Sequence, residues 1–151
     1  MFDIKKIVVP TDFSITSYSA FEYAKDLAEK MNSEVHIINV LEKSPPLLPS
    51  KNHGLSEKEI FSGREIEARK QLAEAASFFM EDSSIIVKEV LLTGNDYEEI
   101  VNYAKAIDSD IIIIATRGRT GILHTLLGSV AEKVIRFAKC PVLVISPKDD
   151  E

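Results

Sequence analysis

Five short runs rich in Val and Ile punctuate the chain: Lys6 to Val9, Glu34 to Val40, Ile85 to Leu92, Asp110 to Ala115 and Val142 to Ile145. Each ends at turn chemistry, and runs of this length and composition predict strands. Stretches such as Ile111 to Ile114 are apolar at every position rather than at alternate ones, the pattern of strands buried on both faces of a parallel sheet. Between the runs, apolar positions fall at helical spacing. The first such segment sets Tyr18, Phe21, Ala24, Ala28 and Met31 on one face and Glu22, Lys25, Asp26 and Glu29 opposite, with Ser14 placed as its N-cap. The second runs from about Glu57 to Glu81 and offers Ile66, Ala73, Ala76 and Met80. The third groups Tyr97, Ile100, Val101 and Ala104 behind a cap at Asn95 or Asp96, with Glu98 and Glu99 in the first turn, where the helix dipole favours them. The fourth begins near Ser129, carries Val130, Val134 and Phe137 or Ala138, and is stopped by Pro141.

Strand alternating with helix along the whole chain predicts a single α/β domain over residues 1–151. Right-handed crossovers then build an open five-stranded parallel sheet, order 3-2-1-4-5, with helices on both faces. In that order the switch point lies between the first and fourth strands, and such sheets bind ligands outside the carboxyl ends of the strands there. Two turns therefore matter most, Pro10 to Phe13 and Thr116 to Leu127. The stretch Glu42 to Ser56, with Ser44-Pro45-Pro46, Pro49 and Gly54, breaks the rhythm and reads as a long polar connection.

Composition narrows the classes of function. The chain has 151 residues, 45% of them hydrophobic, enough for one domain with a real core. A net charge of -6 argues against nucleic acid as a general partner, since neutralising phosphates needs a basic surface. No apolar run has the length of a membrane span, and the opening MFDIKKIVVPTDF lacks a signal-peptide cleavage site, so a cytoplasmic location is expected. The single cysteine, Cys140, lies in an apolar stretch and reads as a small buried hydrophobe. His36, His53 and His124 are spaced like no metal cluster, and each reads as structural or solvated.

Candidate chemistry concentrates after the fourth strand, where Ala115-Thr116-Arg117-Gly118-Arg119-Thr120-Gly121 leads through Ile122 to Leu127 into Gly128-Ser129 and a helix. Glycines let backbone approach a ligand, and amides at a helix N-terminus point at anionic oxygens with the dipole in support. Ser129 adds a hydroxyl, and Arg117 and Arg119 add charge. A glycine loop alone is more often a plain turn, and Asp12 alone more often a helix cap. Their meeting at one switch point is what favours nucleotide binding, with the Asp12 carboxylate available to ribose hydroxyls or a metal beside phosphates.

The chain resembles the universal stress protein family from Lys5 to Ile145. The matching pieces are Ile7-Val8-Val9-Pro10-Thr11-Asp12-Phe13-Ser14, the run Asp110 to Gly118, Leu127-Gly128-Ser129-Val130-Ala131-Glu132-Lys133-Val134-Ile135, and Cys140-Pro141-Val142-Leu143-Val144-Ile145. The ATP-binding branch of that family carries Gly, two residues, Gly, nine residues, Gly, then Ser or Thr. Here Gly118, residues 119–127 and Gly128-Ser129 keep the spacing, while Ala115 stands in place of the first glycine. The resemblance implies that Pro10, Thr11 and Asp12 face adenosine and that the backbone of Val40 meets the adenine edge. It further implies Ile114, Ala115, Gly118, Arg119, Thr120, Gly128, Ser129 and Val130 around phosphates and ribose, and ATP, with or without Mg²⁺, as the ligand. A homodimer through Val142 to Ile145 is implied as well.

Other nucleotide and hydrolase classes lack their signatures. No GxxxxGK[ST] follows a predicted strand, the turn after the first strand has no glycine, and GxSxG is absent. Two functions of different class stand: a nucleotide-binding regulatory module with slow or no hydrolysis, and a dimeric interaction protein that binds no nucleotide. The first is favoured. A weak ATPase in which Asp12 holds Mg²⁺ rests on family analogy alone.

Overall fold

A computed structural model describes residues 2–43, 56–81, 84–116 and 128–147. Its elements follow the predicted order. They are β1 (Lys6–Pro10), α1 (Ile15–Tyr18), α2 (Phe21–Met31), β2 (Glu34–Leu41), α3 (Glu57–Met80), β3 (Val87–Thr93), α4 (Asp96–Ala106), β4 (Ile111–Ala115), α5 (Ser129–Phe137) and β5 (Val142–Ile145). All strands pair in parallel, in the order β3-β2-β1-β4-β5. The strands with unbroken apolar runs occupy the middle. Ile7, Val8 and Val9 of β1 and Ile112 and Ile113 of β4 are fully buried, whereas β3 and β5, at the edges, are mostly half-buried or exposed.

Side-chain alternation along each strand feeds two cores. Ile7, Val9, Val35, Ile37 and Ile113 pack with Phe21, Ala24 and Ala28 of α2 and with Leu72, Ala76 and Phe79 of α3. Val8, Ile38, Ile112 and Ile114 pack on the other face with Ile100 and Ala104 of α4 and Ala131 and Val134 of α5. The start of β1 is pinned electrostatically: Lys5 and Lys6 amides donate to Asp110 Oδ2 at 2.8 and 2.9 Å, and Lys6 Nζ donates to the Ile107 carbonyl at the end of α4. Half-buried Cys140 packs against the second core, where burial pushes its thiol up.

Two local expectations change. The segment expected to be one helix after Ser14 is two. Ser14 does cap α1, its Oγ accepting from Ser17 N. Hydroxyls of Ser17 and Ser19 then bond back to the carbonyls of Ser14 and Thr16, and Ser19 and Ala20 amides make tight i→i+3 bonds, so the polar run competes with the helix ladder and turns the chain before α2. In α3 the buried face is Ala68, Leu72, Ala75, Ala76 and Phe79, whereas Ile66 is 70% and Met80 56% exposed. Of the expected face only Ala76 is buried. Two stripes competed on this helix, and the one with Leu72 and Phe79 wins because its alanines allow close approach while Phe79 packs 5.0 Å from the Phe21 ring. Leu72→Ala is therefore expected to cost about 2–5 kcal/mol and Ile66→Ala to stay within about 0.5 kcal/mol, measured by urea unfolding of both variants.

Candidate functional site

A parallel sheet whose helices leave strands β1 and β4 toward opposite faces opens a gap above the carboxyl ends of those strands. That gap is a cleft of about 580 Å³, and Pro10, Thr11, Asp12, Val40, Ile114, Ala115, Gly128, Ser129 and Val130 all line it. Gly118, Arg119 and Thr120, like Arg117, Gly121, His53 and His124, lie outside the described residues. Sequence reasoning overlooked several other lining residues: Ser14, Thr16 and Ser17 of the first turn, Asn39 and Glu42 at the end of β2, and Asp96 at the start of α4.

The turn after β1 is fixed by a chain of short bonds. Thr11 N donates to the Ile38 carbonyl, carrying the β1–β2 ladder one step past Pro10. Thr11 Oγ1 accepts from Phe13 N at 2.9 Å and lies 2.7 Å from Ser17 Oγ, while Asp12 Oδ1 accepts from Ser14 N at 2.9 Å. These bonds hold Phe13 at φ 68, a left-handed conformation that bulky residues rarely adopt, and its ring is anchored against the first core. Asp12 itself is exposed toward the cleft. Burial raises its carboxyl, but the Ser14 and Ser17 hydrogen bonds outweigh this and hold it below the ordinary value, so Asp12 is a fixed acceptor at neutral pH.

Val40 is placed by strand alternation. Leu41 O accepts from Gly94 N on the β3 side, and Ile38 O from Thr11 N on the β1 side. Val40 shares the parity of Ile38, so its N–H and C=O face β1, beyond the last rung of that ladder, Pro10 with Ile38. The opposite wall is the start of α5. Its N-cap is Gly128, which makes no side-chain cap bond, and the first turn, Gly128 to Ala131, lines the cleft with no side-chain cap among the described residues. At the neighbouring α4, by contrast, Asp96 Oδ1 already accepts from Tyr97 N at 2.6 Å, and Glu98 and Glu99 add negative charge. The cleft is thus polarised, donors at α5 and carboxylates at Asp12, Glu42 and Asp96.

Ala115 ends β4 in register with Ile145 and packs against the first core. It is not among the residues with positive φ, so no left-handed backbone demands glycine there. His36 proves structural: it is buried, with Nδ1 2.7 Å from Tyr103 Oη and Nε2 2.8 Å from Glu34 Oε1. Its hydrogen bond keeps the Glu34 carboxyl below the ordinary range. Among the described residues no three His, Cys, Asp or Glu side chains group as a metal site, and no helix is long and apolar enough to cross a membrane.

Comparison with known proteins agrees with this architecture. The model of the universal stress protein family matches residues 3–146. Universal stress protein MJ0531 of Methanocaldococcus jannaschii is 36% identical over 97% of this chain and 85% of its own length. Universal stress protein MJ0577 of the same organism is 32% identical over 96% of each. The solved structure of MJ0577 superposes with a TM-score of 0.80, covering 97% of this chain and 99% of that one. The fold is shared, at 23% identity and a TM-score of 0.68, by a universal stress protein from Archaeoglobus fulgidus in complex with dAMP, covering 97% of this chain and all 100% of that one.

The lowered Asp12 carboxyl sets a pH dependence. A group whose pKa falls on folding stabilises the fold above its unfolded value, near 3.9, and loses that contribution as pH drops through the folded value. The stability difference between wild type and Asp12→Ala is expected to be full at pH 7 and to shrink as pH falls below about 4 and through the lowered folded value. Urea midpoints of both proteins from pH 7 down to pH 2 check it; a difference that does not shrink over that range contradicts it.

Proposed function

The chain belongs to the universal stress protein family, and on that premise we propose that it binds an adenine nucleotide, ATP, as a regulatory module with slow or no hydrolysis. The observation that carries the reading is the polarised cleft. The start of α5 at Gly128-Ser129, without a side-chain cap among the described residues, faces the charged Asp12 across the ends of β4 and β1. Phosphates suit the α5 amides, Asp12 suits ribose hydroxyls, and the outward main-chain groups of Val40 suit the base edge. Gly118, Arg119 and Thr120 complete the phosphate side in this reading. If Mg²⁺ accompanies ATP, Asp12 would hold it with phosphate oxygens in place of the ribose hydroxyls, since magnesium commonly takes one carboxylate beside them. The family relative that holds dAMP supports an adenine nucleotide as the ligand class. We place the protein in the cytoplasm, as one domain over residues 1–151.

Titrations of wild type and Ala115→Gly with ATP, AMP and adenosine test this directly. ATP is expected to bind well above adenosine, and Ala115→Gly to improve ATP affinity by no more than roughly tenfold, because the methyl group sits in a strand and leaves the later glycine spacing intact. Equal affinities, or no heat from any of the three, contradict the proposal. Binding that appears only in Ala115→Gly favours the alternative, a dimeric interaction protein without nucleotide.

The same reading includes a homodimer through β5. This strand pairs with β4 alone among the described residues. Its unclaimed backbone edge and the exposed Leu143 need a cover, and two-fold pairing is the commonest way copies provide one. Sedimentation is expected to show a dimer at micromolar concentration, weakened by Val144→Pro, which removes a ladder donor. A monomeric wild type contradicts it.

A further inference from the structure

Asn39 is a polar residue inside the apolar run of β2 and is only 7% exposed. Its Nδ2 donates to the Thr11 carbonyl at 2.9 Å. That bond settles the amide's orientation, because the reverse placement would set two oxygens against each other. Oδ1 is left buried with no hydrogen-bond partner among the described residues. An unpaired buried amide oxygen is destabilising, and a fold that keeps one calls for a functional account.

The Nδ2 bond stands where a ladder bond would otherwise form. Had the β1–β2 ladder continued another rung, the Val40 amide would donate to the Thr11 carbonyl. Asn39 occupies that carbonyl instead. The ladder ends there, with the main-chain donor and acceptor of Val40 turned toward the end of β1, beside the side chain that carries Oδ1. Both residues line the cleft.

We propose that Asn39 Oδ1 and the Val40 carbonyl together accept the two hydrogens of an exocyclic amino group on the ligand's base, so that Asn39 selects an amino base over a keto base. The proposal rests on the nucleotide reading of the cleft. Two strand spacings, about 10 Å, separate β2 from β4, whose end leads toward the α5 amides, and Glu42 and Asp96 repel phosphate from the acidic part of the wall. The base therefore lies at β2. An amino group is the one nucleobase substituent with two donor hydrogens; a keto group has none and would face two oxygens. Oδ1 is shielded from solvent, so meeting the base takes a turn about Cβ–Cγ that swings Nδ2 by the same angle and lengthens its bond to the Thr11 carbonyl.

The test is calorimetric titration of wild type and Asn39→Leu with ATP and ITP, which differ at the 6-position. Wild type is expected to prefer ATP by at least about tenfold, and the preference to shrink at least about fivefold in Asn39→Leu. If Asn39 only holds Thr11 in place, the variant weakens both nucleotides alike and the ratio stays, which overturns the proposal. Equal binding of ATP and ITP by wild type also overturns it while leaving nucleotide binding intact. Binding of neither overturns both readings together. If Asn39→Leu does not fold, wild type decides with N6-methyl-ATP, which keeps a single amino hydrogen. It is expected to bind at least about fivefold weaker than ATP, and equal binding overturns the proposal.

Discussion

Strand β1 is sealed on both faces and flanked on both sides, and the location of the cleft follows from that constraint. Ile7 and Val9 face the α2 and α3 core and Val8 the α4 and α5 core, all without solvent contact. The turn leaving β1 goes to the first face, while α5, the next described helix after β4, packs on the second. Two neighbouring strands whose connections part in this way leave their carboxyl ends uncovered between them. Polar main-chain groups there must find partners, and the Thr11, Asp12, Ser14 and Ser17 bonds supply them for the β1 turn.

Those bonds also explain why the turn tolerates a left-handed Phe13. A non-glycine residue in that region costs of order 1 kcal/mol or more, and it persists where the surroundings fix it from several sides. Phe13 is held by its amide on Thr11, by its neighbour's amide on Asp12 and by its ring in the core. The consequence is a rigid Asp12, whose carboxylate is presented to the cleft in one position. Rigidity of this sort suits recognition, because little is lost in ordering the site on binding.

The two ends of the cleft differ for equally local reasons. Asp96 satisfies the Tyr97 amide in the first turn of α4 from within, while Gly128 cannot do the same for α5 because it has no side chain to offer. One helix start is therefore neutralised by its own carboxylate and the other is presented to whatever enters. Glu42 is tied to the rest of the wall through its carbonyl, which accepts from Arg64 of α3 at 3.2 Å, so the long third helix braces the acidic end.

Element order, sheet order and the switch point were legible in the sequence because each depends on period and composition: unbroken Ile and Val runs for central strands, 3.6-residue stripes for helices, Pro141 as a stop. Pro10, Thr11, Asp12, Gly128 and Ser129 could be singled out because turn residues after a strand, at a switch point, have few other places to be. What the sequence could not decide were choices between near-equal alternatives. Two apolar stripes competed on α3, and only packing of Phe79 against Phe21 chose one. The serine-rich run after Ser14 could continue a helix or bend it, and the back-bonding hydroxyls of Ser17 and Ser19 bent it. Asn39 was visible only as a polar interruption of β2. That its amide ends the β1–β2 ladder at Thr11 and leaves Oδ1 unpaired depends on where β1 stops relative to β2, a relation between residues 28 apart in the chain that only the folded sheet defines.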